Sequence, residues 1–353
     1  MKPAVVFRLL MACPLVSSAP AMAQTCEFRE ITQTQRVMMP LQAAITVQQD
    51  TPLGTVLYHS GHSAQIPGYI RCGGGMGEST WRLEYEDDPG AQVPGYPGHY
   101  PTDIPGVSIR WWRINLTVPG IQSSDVLGAS YLQRAIPPLL MFSLVKTGPV
   151  SPGTLSGSTL PRVRMRVTWG GATALDAYVA EAQGQLSIVS GTCNVADMTV
   201  PLGSPGTAEF TGPGSAGTWV DFSIGLSGCP AFFGARRSFH TANAGTNERL
   251  GEALANVVRY RLDPSTPILD PTASIMALSN ADDAGTAQGV GIQVALPDGA
   301  ANGFGGYRSS GLALNATPGG SYRIPLRARY RQTADRVRPG RADGQMVVTL
   351  RYE

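Results

Sequence analysis

Short runs of alternating apolar and polar residues, cut by clusters of Gly, Pro, Asn, Asp and Ser, recur along this chain and constrain it more than any other feature. A period of two is the signature of a strand with one buried face. Candidate strands are Thr80–Tyr85, Val107–Val118, Val163–Trp169, Gln185–Val189, Val220–Leu226, Val257–Leu262, Val290–Leu296, Tyr322–Tyr330 and Gln345–Tyr352. Turn clusters such as Asp88-Pro89-Gly90 and Thr317-Pro318-Gly319-Gly320 separate them. The 42 Gly and 28 Pro of the 353 residues are what so many turns require. Only Asn247–Asn256 has helical spacing, through Leu250 and Leu254. Alternating helices are absent, which excludes a parallel α/β sheet. No internal repeat is seen.

At 42% hydrophobic and 15% charged residues the chain is globular. No apolar run reaches the roughly 18 residues of a membrane span. The N-terminus reads as a signal peptide over residues 1–23: Lys2, an apolar stretch, then Ala21-Met22-Ala23 as a cleavage site. Leu10-Met11-Ala12-Cys13 is a loose match to a lipid-attachment site, but Met11 fits poorly and Arg8 breaks the apolar run. Cleavage before Gln24 removes Lys2 and Arg8, so Lys plus Arg falls from 27 to 25 and equals Asp plus Glu at 25. A neutral chain offers no broad attraction to nucleic acid or anionic membrane.

Removing Cys13 leaves Cys26, Cys72, Cys193 and Cys229, and four cysteines in an exported protein imply two disulfides with three possible connectivities. One pair per half, Cys26 with Cys72 and Cys193 with Cys229, is the expected pattern for two domains. The expected boundary lies near Ala182–Gly184, between a strand at Asp176–Ala180 and another at Gln185–Val189.

The region 184–353 resembles the pilin domain of chaperone–usher fimbriae. Matches in pilin order are Gly191-Thr192-Cys193-Asn194-Val195, Val200-Pro201-Leu202-Gly203, Phe222–Leu226 before Gly228-Cys229, Gly289–Val294, and Ile324–Tyr330. Gly340 stands fourteen residues from the end of the sequence and Tyr352 is penultimate, as in that family. The resemblance implies an immunoglobulin-like sandwich that lacks its last strand. The edge beside the final strand would be filled first by a periplasmic chaperone, at an outer-membrane usher, and then by a strand from the adjacent fimbrial subunit. Met346, Val348, Leu350 and Tyr352, with Gly340, are the residues expected at that edge; the alternation of 346–352 suits one core-facing side with a backbone left to pair. Nothing follows this strand in the sequence to cover it.

A shaft pilin carries a donor strand ahead of its first cysteine, whereas here a whole domain precedes Cys193. That argues for the fimbrial tip, reached by export through the periplasm to the cell surface. Residues 24–183 then take the place of the receptor-binding domain of two-domain tip adhesins. Gly68–Gly73 is similar to the segment around the second adhesin cysteine, and Tyr100–Arg110 resembles a stretch common in that group, with Ser108 in place of a Gly. The mannose-pocket residues of type 1 adhesins have no convincing match, and Gln24 can cyclise and lose the amine such a pocket uses. The implied fold is all-β: a lectin-like adhesin sandwich followed by an incomplete immunoglobulin-like pilin sandwich.

Sugar recognition needs aromatic faces and planar polar groups. The stretch 81–113 is richest in them, and the candidates are Tyr96, His99, Tyr100 and Asp103 on the Pro94–Asp103 loop, with Asp87 and Asp88. Trp81, Leu83 and Tyr85 share a strand face and read as core, and Trp111 and Trp112 point to opposite sides. A host glycan or matrix protein is the expected ligand. His59-Ser60-Gly61-His62 lacks a nearby Glu or Cys partner, so no metal or cofactor is expected. No nucleophile elbow, dinucleotide fingerprint or phosphate loop occurs. Glu86-Asp87-Asp88 before Pro89-Gly90 reads as a solvated turn rather than a glycosidase pair. A non-binding tip adaptor and an exported β-rich glycan hydrolase are the alternatives.

Overall fold

The structure is a computed structural model that describes residues 25–127, 131–137, 139–170, 173–235, 237–241 and 248–353. The signal-peptide reading, Cys13 and Gln24 lie outside them. Half of the described residues are strand and 2% helix, the latter being two single 3₁₀ turns at Gly157–Thr159 and Thr207–Glu209. The all-β class therefore holds.

The first core draws on two large sheets. One aligns Glu248–Leu250, Arg237–Thr241, Val56–His62, Leu140–Lys146, Val107–Arg113 and Tyr100–Pro101, with Leu116–Thr117 attached to Val107–Arg113. The other aligns Gly153–Ser156, Thr173–Val189, Val163–Trp169, Gly77–Tyr85 and Gly120–Leu127, with Gln35–Thr46 lying parallel on Thr173–Val189. Alternation sends Trp81, Leu83, Trp111, Phe142, Val167 and Trp169 inward, all at most 1% exposed. Trp112 faces the other side, where its Nε1 donates to Ser143 Oγ at 3.2 Å. A third, small sheet sets Thr25–Arg29 against Tyr69–Gly73, placing Cys26 directly opposite Cys72, and the two are bonded.

The expected join at 182–184 falls inside a strand. Thr173–Val189 runs unbroken through it. Gly184 is not a linker glycine: it has φ +104°, and a Cβ there would lie 2.6 Å from the Leu41 carbonyl oxygen. The residue is small because Gln35–Thr46 passes against it. Leu186 and Ile188 consequently belong to the first core, and the second begins at Cys193.

The second core lies between a sheet of Asn194–Val195, Val220–Cys229, Gly320–Gln332, Val290–Ala295, Ile275–Met276 and Ile268–Asp270, and a smaller one of Arg308–Ser309, Val258–Pro264 and Met346–Tyr352. Cys193 and Cys229 are bonded. The helical reading of 247–256 is overturned. Glu248–Leu250 is a strand, and Leu250 and Leu254 are exposed, so the spacing has no apolar face to bury. Glu248–Leu250 pairs with Arg237–Thr241, which adds parallel to Val56–His62 and buries Phe239 in the first core. The second half of the chain thus lends two paired strands to the first. Around it, Thr46 Oγ1 donates to Ala231 O at 2.7 Å and accepts from Phe233 N at 2.8 Å.

Candidate functional site

The hydrogen-bond phase of Met346–Tyr352 decides which of its groups are free to act. Val257 and Glu353 exchange backbone hydrogen bonds of 2.8 and 2.9 Å. Stepping by two from that pair, Arg351, Thr349 and Val347 bond toward Val258–Pro264, while the amides of Met346, Val348, Leu350 and Tyr352 point away. Among the described residues no strand pairs on that second side. An edge of unpaired donors and acceptors is a template for another chain.

The same four residues turn their side chains to the core: Tyr352 is 3% exposed, and Met346, Val348 and Leu350 are half-buried against it. Val347, one step out of phase, is 55% exposed. Between this strand and the segment Val195–Ser204 lies a groove of about 1040 Å³. Phe222, Ile224, Leu262, Met276, Ile292 and Ala328 line it from the second core. A strand laid there would cover apolar surface worth roughly 25 cal/mol per Å².

Tyr352 and Gly340 have separate tasks. The Tyr352 hydroxyl accepts from the Cys193 amide at 3.0 Å, tying the strand to the disulfide, and burial pushes its pKa up. Gly340 lies ahead of the strand rather than on its edge. A Cβ there would meet Ala287 N at 2.5 Å. The missing side chain lets 338–341 bond to 285–288, with Ala287 N donating to Arg341 O at 2.8 Å.

The six ligand candidates of the first unit do not converge. Asp87 and Asp88 line a polar cleft of about 410 Å³ with Ser158, Thr159, Arg162 and Glu181. Arg162 donates to both Asp87 oxygens, at 2.9 and 3.1 Å, and this bond holds the Asp87 pKa below the usual carboxylate range. Asp88 is spent on its own turn, accepting from Gly90 N at 2.9 Å. Tyr96, His99, Tyr100 and Asp103 do not line this cleft. Tyr100 is 5% exposed and packs edge-on against Tyr85 at 4.8 Å. Tyr96 and His99 meet edge-on at 5.8 Å, and burial lowers the His99 pKa. Asp103 is exposed. The sequence reading missed Ser158, Thr159, Arg162 and Glu181, which no local pattern singles out and which only folding places beside the acids. His59 bonds to Ser143 Oγ at 3.2 Å and leans on Trp112, and among the described residues no cluster of three metal-ligating side chains occurs.

Comparison with known proteins locates the likeness. Residues 181–353 match the family model described as Fimbrial protein. The fimbrial subunit type 1 of Salmonella typhimurium is 28% identical over 177 residues, covering 47% of this chain and 78% of that protein. The type-1 fimbrial protein A chain of Salmonella typhi is 28% identical over 165 residues, covering 45% and 72%. Among solved structures, the CupB6 tip adhesin from Pseudomonas aeruginosa is 16% identical with a TM-score of 0.36, over 93% of this chain and 94% of that one. The likeness to fimbrial proteins thus lies in residues 181–353, the part of the molecule that carries the open edge.

Proposed function

We propose that this chain is a fimbrial tip adhesin. Its second unit takes a strand from the adjacent subunit, and its first unit attaches the cell to a host glycan or matrix receptor. The observation that carries the reading is the open edge of Met346–Tyr352 above an apolar groove. Strand addition satisfies the edge amides and covers the groove in one step. A chaperone in the periplasm and an usher in the outer membrane are the partners that deliver such a subunit.

What precedes Cys193 supports the tip position. In a shaft subunit that segment is free to be given to a neighbour. Here Thr173–Val189 is built into a sheet, with Gln35–Thr46 on one part and Gly153–Ser156 paired to Gln185–Ile188, and with Leu186 and Ile188 fully buried. The strand cannot be lent without opening the first core. The Asp87–Arg162–Thr159 cleft is the place we assign to the ligand.

Two displays test this together. Val348→Asp puts an unpaired charge into the groove wall and should remove the protein from the cell surface, whereas Val347→Asp should leave it there. Cells displaying Thr159→Arg, which fills the cleft, should keep the fimbria and lose retention on a glycan and matrix-protein array. A normally displayed wild type that binds nothing on the array would favour the adaptor reading. Turnover of labelled glycans would favour the hydrolase.

A further inference from the structure

The open edge is closed at one end. Of the four amides that point away from Val258–Pro264, that of Tyr352 donates to Asp50 Oδ2 at 3.3 Å. Asp50 belongs to the first unit, in the turn that follows Gln35–Thr46. That turn is held firmly: Lys146, only 2% exposed, donates from Nζ to Gln48 O at 3.0 Å and Gln49 O at 2.7 Å. The groove tells the same story from the other side. Its lining includes Met346, Val347 and Val348 and stops short of Leu350 and Tyr352, while Tyr352 is buried and bonded to Cys193.

We propose that Asp50 is a strand stop: the first unit ends the pairing ladder, so that an incoming strand bonds along Met346–Leu350 and goes no further. An incoming strand offers a peptide carbonyl to each edge amide. At Tyr352 that carbonyl must displace a carboxylate, a stronger acceptor than a neutral oxygen, and must then lie beside the charge it displaced. The ladder left to the neighbour is five residues, about 17 Å at strand rise. The neighbour's strand is therefore fixed in register by a residue outside the domain that receives it. This inference rests on reading the edge as a strand acceptor.

The test uses the full chain carrying an alternating Thr/Val segment behind Glu353 on a flexible linker. One version spans Met346–Leu350; a second is two residues longer and reaches Tyr352. Both versions should raise Tm over the unmodified chain. In the wild-type background the longer segment should add less than 1 °C to the shorter, and in Asp50→Ala it should add about 4 °C. Asp50→Asn, which keeps an acceptor oxygen but loses the charge, should fall between wild type and Asp50→Ala. A gain from the longer segment that is equal in wild type and Asp50→Ala overturns the stop. Amide exchange supplies a readout that needs no donor: at Tyr352 it should be at least tenfold faster in Asp50→Ala than in wild type, with Val348 unchanged, and equal rates at Tyr352 also overturn the stop. If neither segment raises Tm in any background while the exchange contrast is seen, it is the acceptor reading that has failed.

Discussion

The two units solve the same problem in opposite ways. Each is built from twisted sheets around an apolar core, and each has an edge that its own strands do not finish. In the first unit the free edge of Val56–His62 is covered by Arg237–Thr241, a strand borrowed from the other half of the chain. In the second, the free side of Met346–Tyr352 has no strand among the described residues and opens onto a groove. Covering from within the chain gives permanence; on the function proposed above, leaving the cover to another chain would give assembly. The contrast shows that what sets Met346–Tyr352 apart is not an open edge as such but an open edge above an apolar groove.

The strongest way to break the comparison is to spoil the open edge. Val348→Asp or Leu350→Asp buries a charge without a partner, at a cost of several kcal/mol. Rescue by a donor segment appended behind Glu353 should disappear in either variant, by thermal melt and by soluble yield. Without the substitution that segment should raise Tm by about 10 °C, since it covers three or four apolar side chains at roughly 2 kcal/mol each, less the ordering cost, and each kcal/mol is worth about 3 °C. A cooperatively folded, monomeric 190–353 with no donor would show the edge to be complete, and the contrast between the units would vanish.

The next largest effect concerns the borrowed strand. Phe239→Ala removes a side chain 2% exposed and should cost about 3–5 kcal/mol, read as destabilisation of the first unit rather than the second. For the same reason residues 24–183 alone should not fold cooperatively. They omit Leu186, Ile188 and Phe239, which belong to the first core. A stable 24–183 fragment would show that the loan is dispensable. A smaller effect is expected from Tyr352→Phe, which leaves the buried Cys193 amide without its acceptor and should cost about 1–3 kcal/mol.

The mildest prediction belongs to the cleft. Asp87→Asn breaks an exposed pair with Arg162 and should change Tm by little, since such pairs contribute about 0–1 kcal/mol. The Asp87 pKa is depressed in the fold, so its small contribution is present above the unfolded carboxylate value and is lost as pH falls through the folded one. Melts between pH 7 and pH 3 should show the wild type losing slightly more stability than Asp87→Asn. Equal losses would mean that the pair contributes nothing.

What the sequence made legible was local or carried by family pattern. The alternation of Met346, Val348, Leu350 and Tyr352 is visible without a structure because the strand period and the burial it implies are properties of seven adjacent residues. The one-bridge-per-half pairing of the cysteines was also within reach. What stayed hidden depended on distant chain. Gly184 looks like a hinge, and only the passage of Leu41 past it shows why a side chain is forbidden. Phe239 sits in a stretch with no strong pattern, and its burial is decided by an edge about 180 positions earlier. The ligand loop is legible only in part. Tyr100, which the sequence offers as a ligand group, is buried and accepts from the Gln92 side-chain amide at 3.2 Å, while the Gln92 side-chain oxygen accepts from the Gly98 amide at 3.0 Å. The cleft that does form owes its shape to a turn with no aromatic residue in it.

The unbroken strand Thr173–Val189 sets how the molecule bears tension. A pull between the two units enters the first along this strand's own axis. Its ladders to Gln35–Thr46 and Gly153–Ser156 lie across that axis, so the load falls on many hydrogen bonds in shear instead of peeling them one at a time. The paired strands Arg237–Thr241 and Glu248–Leu250 are a second anchorage, reached by a separate stretch of chain. Drawing the units apart means shearing one ladder and extracting Phe239 together, so the junction is at its stiffest against a pull along the axis of Thr173–Val189.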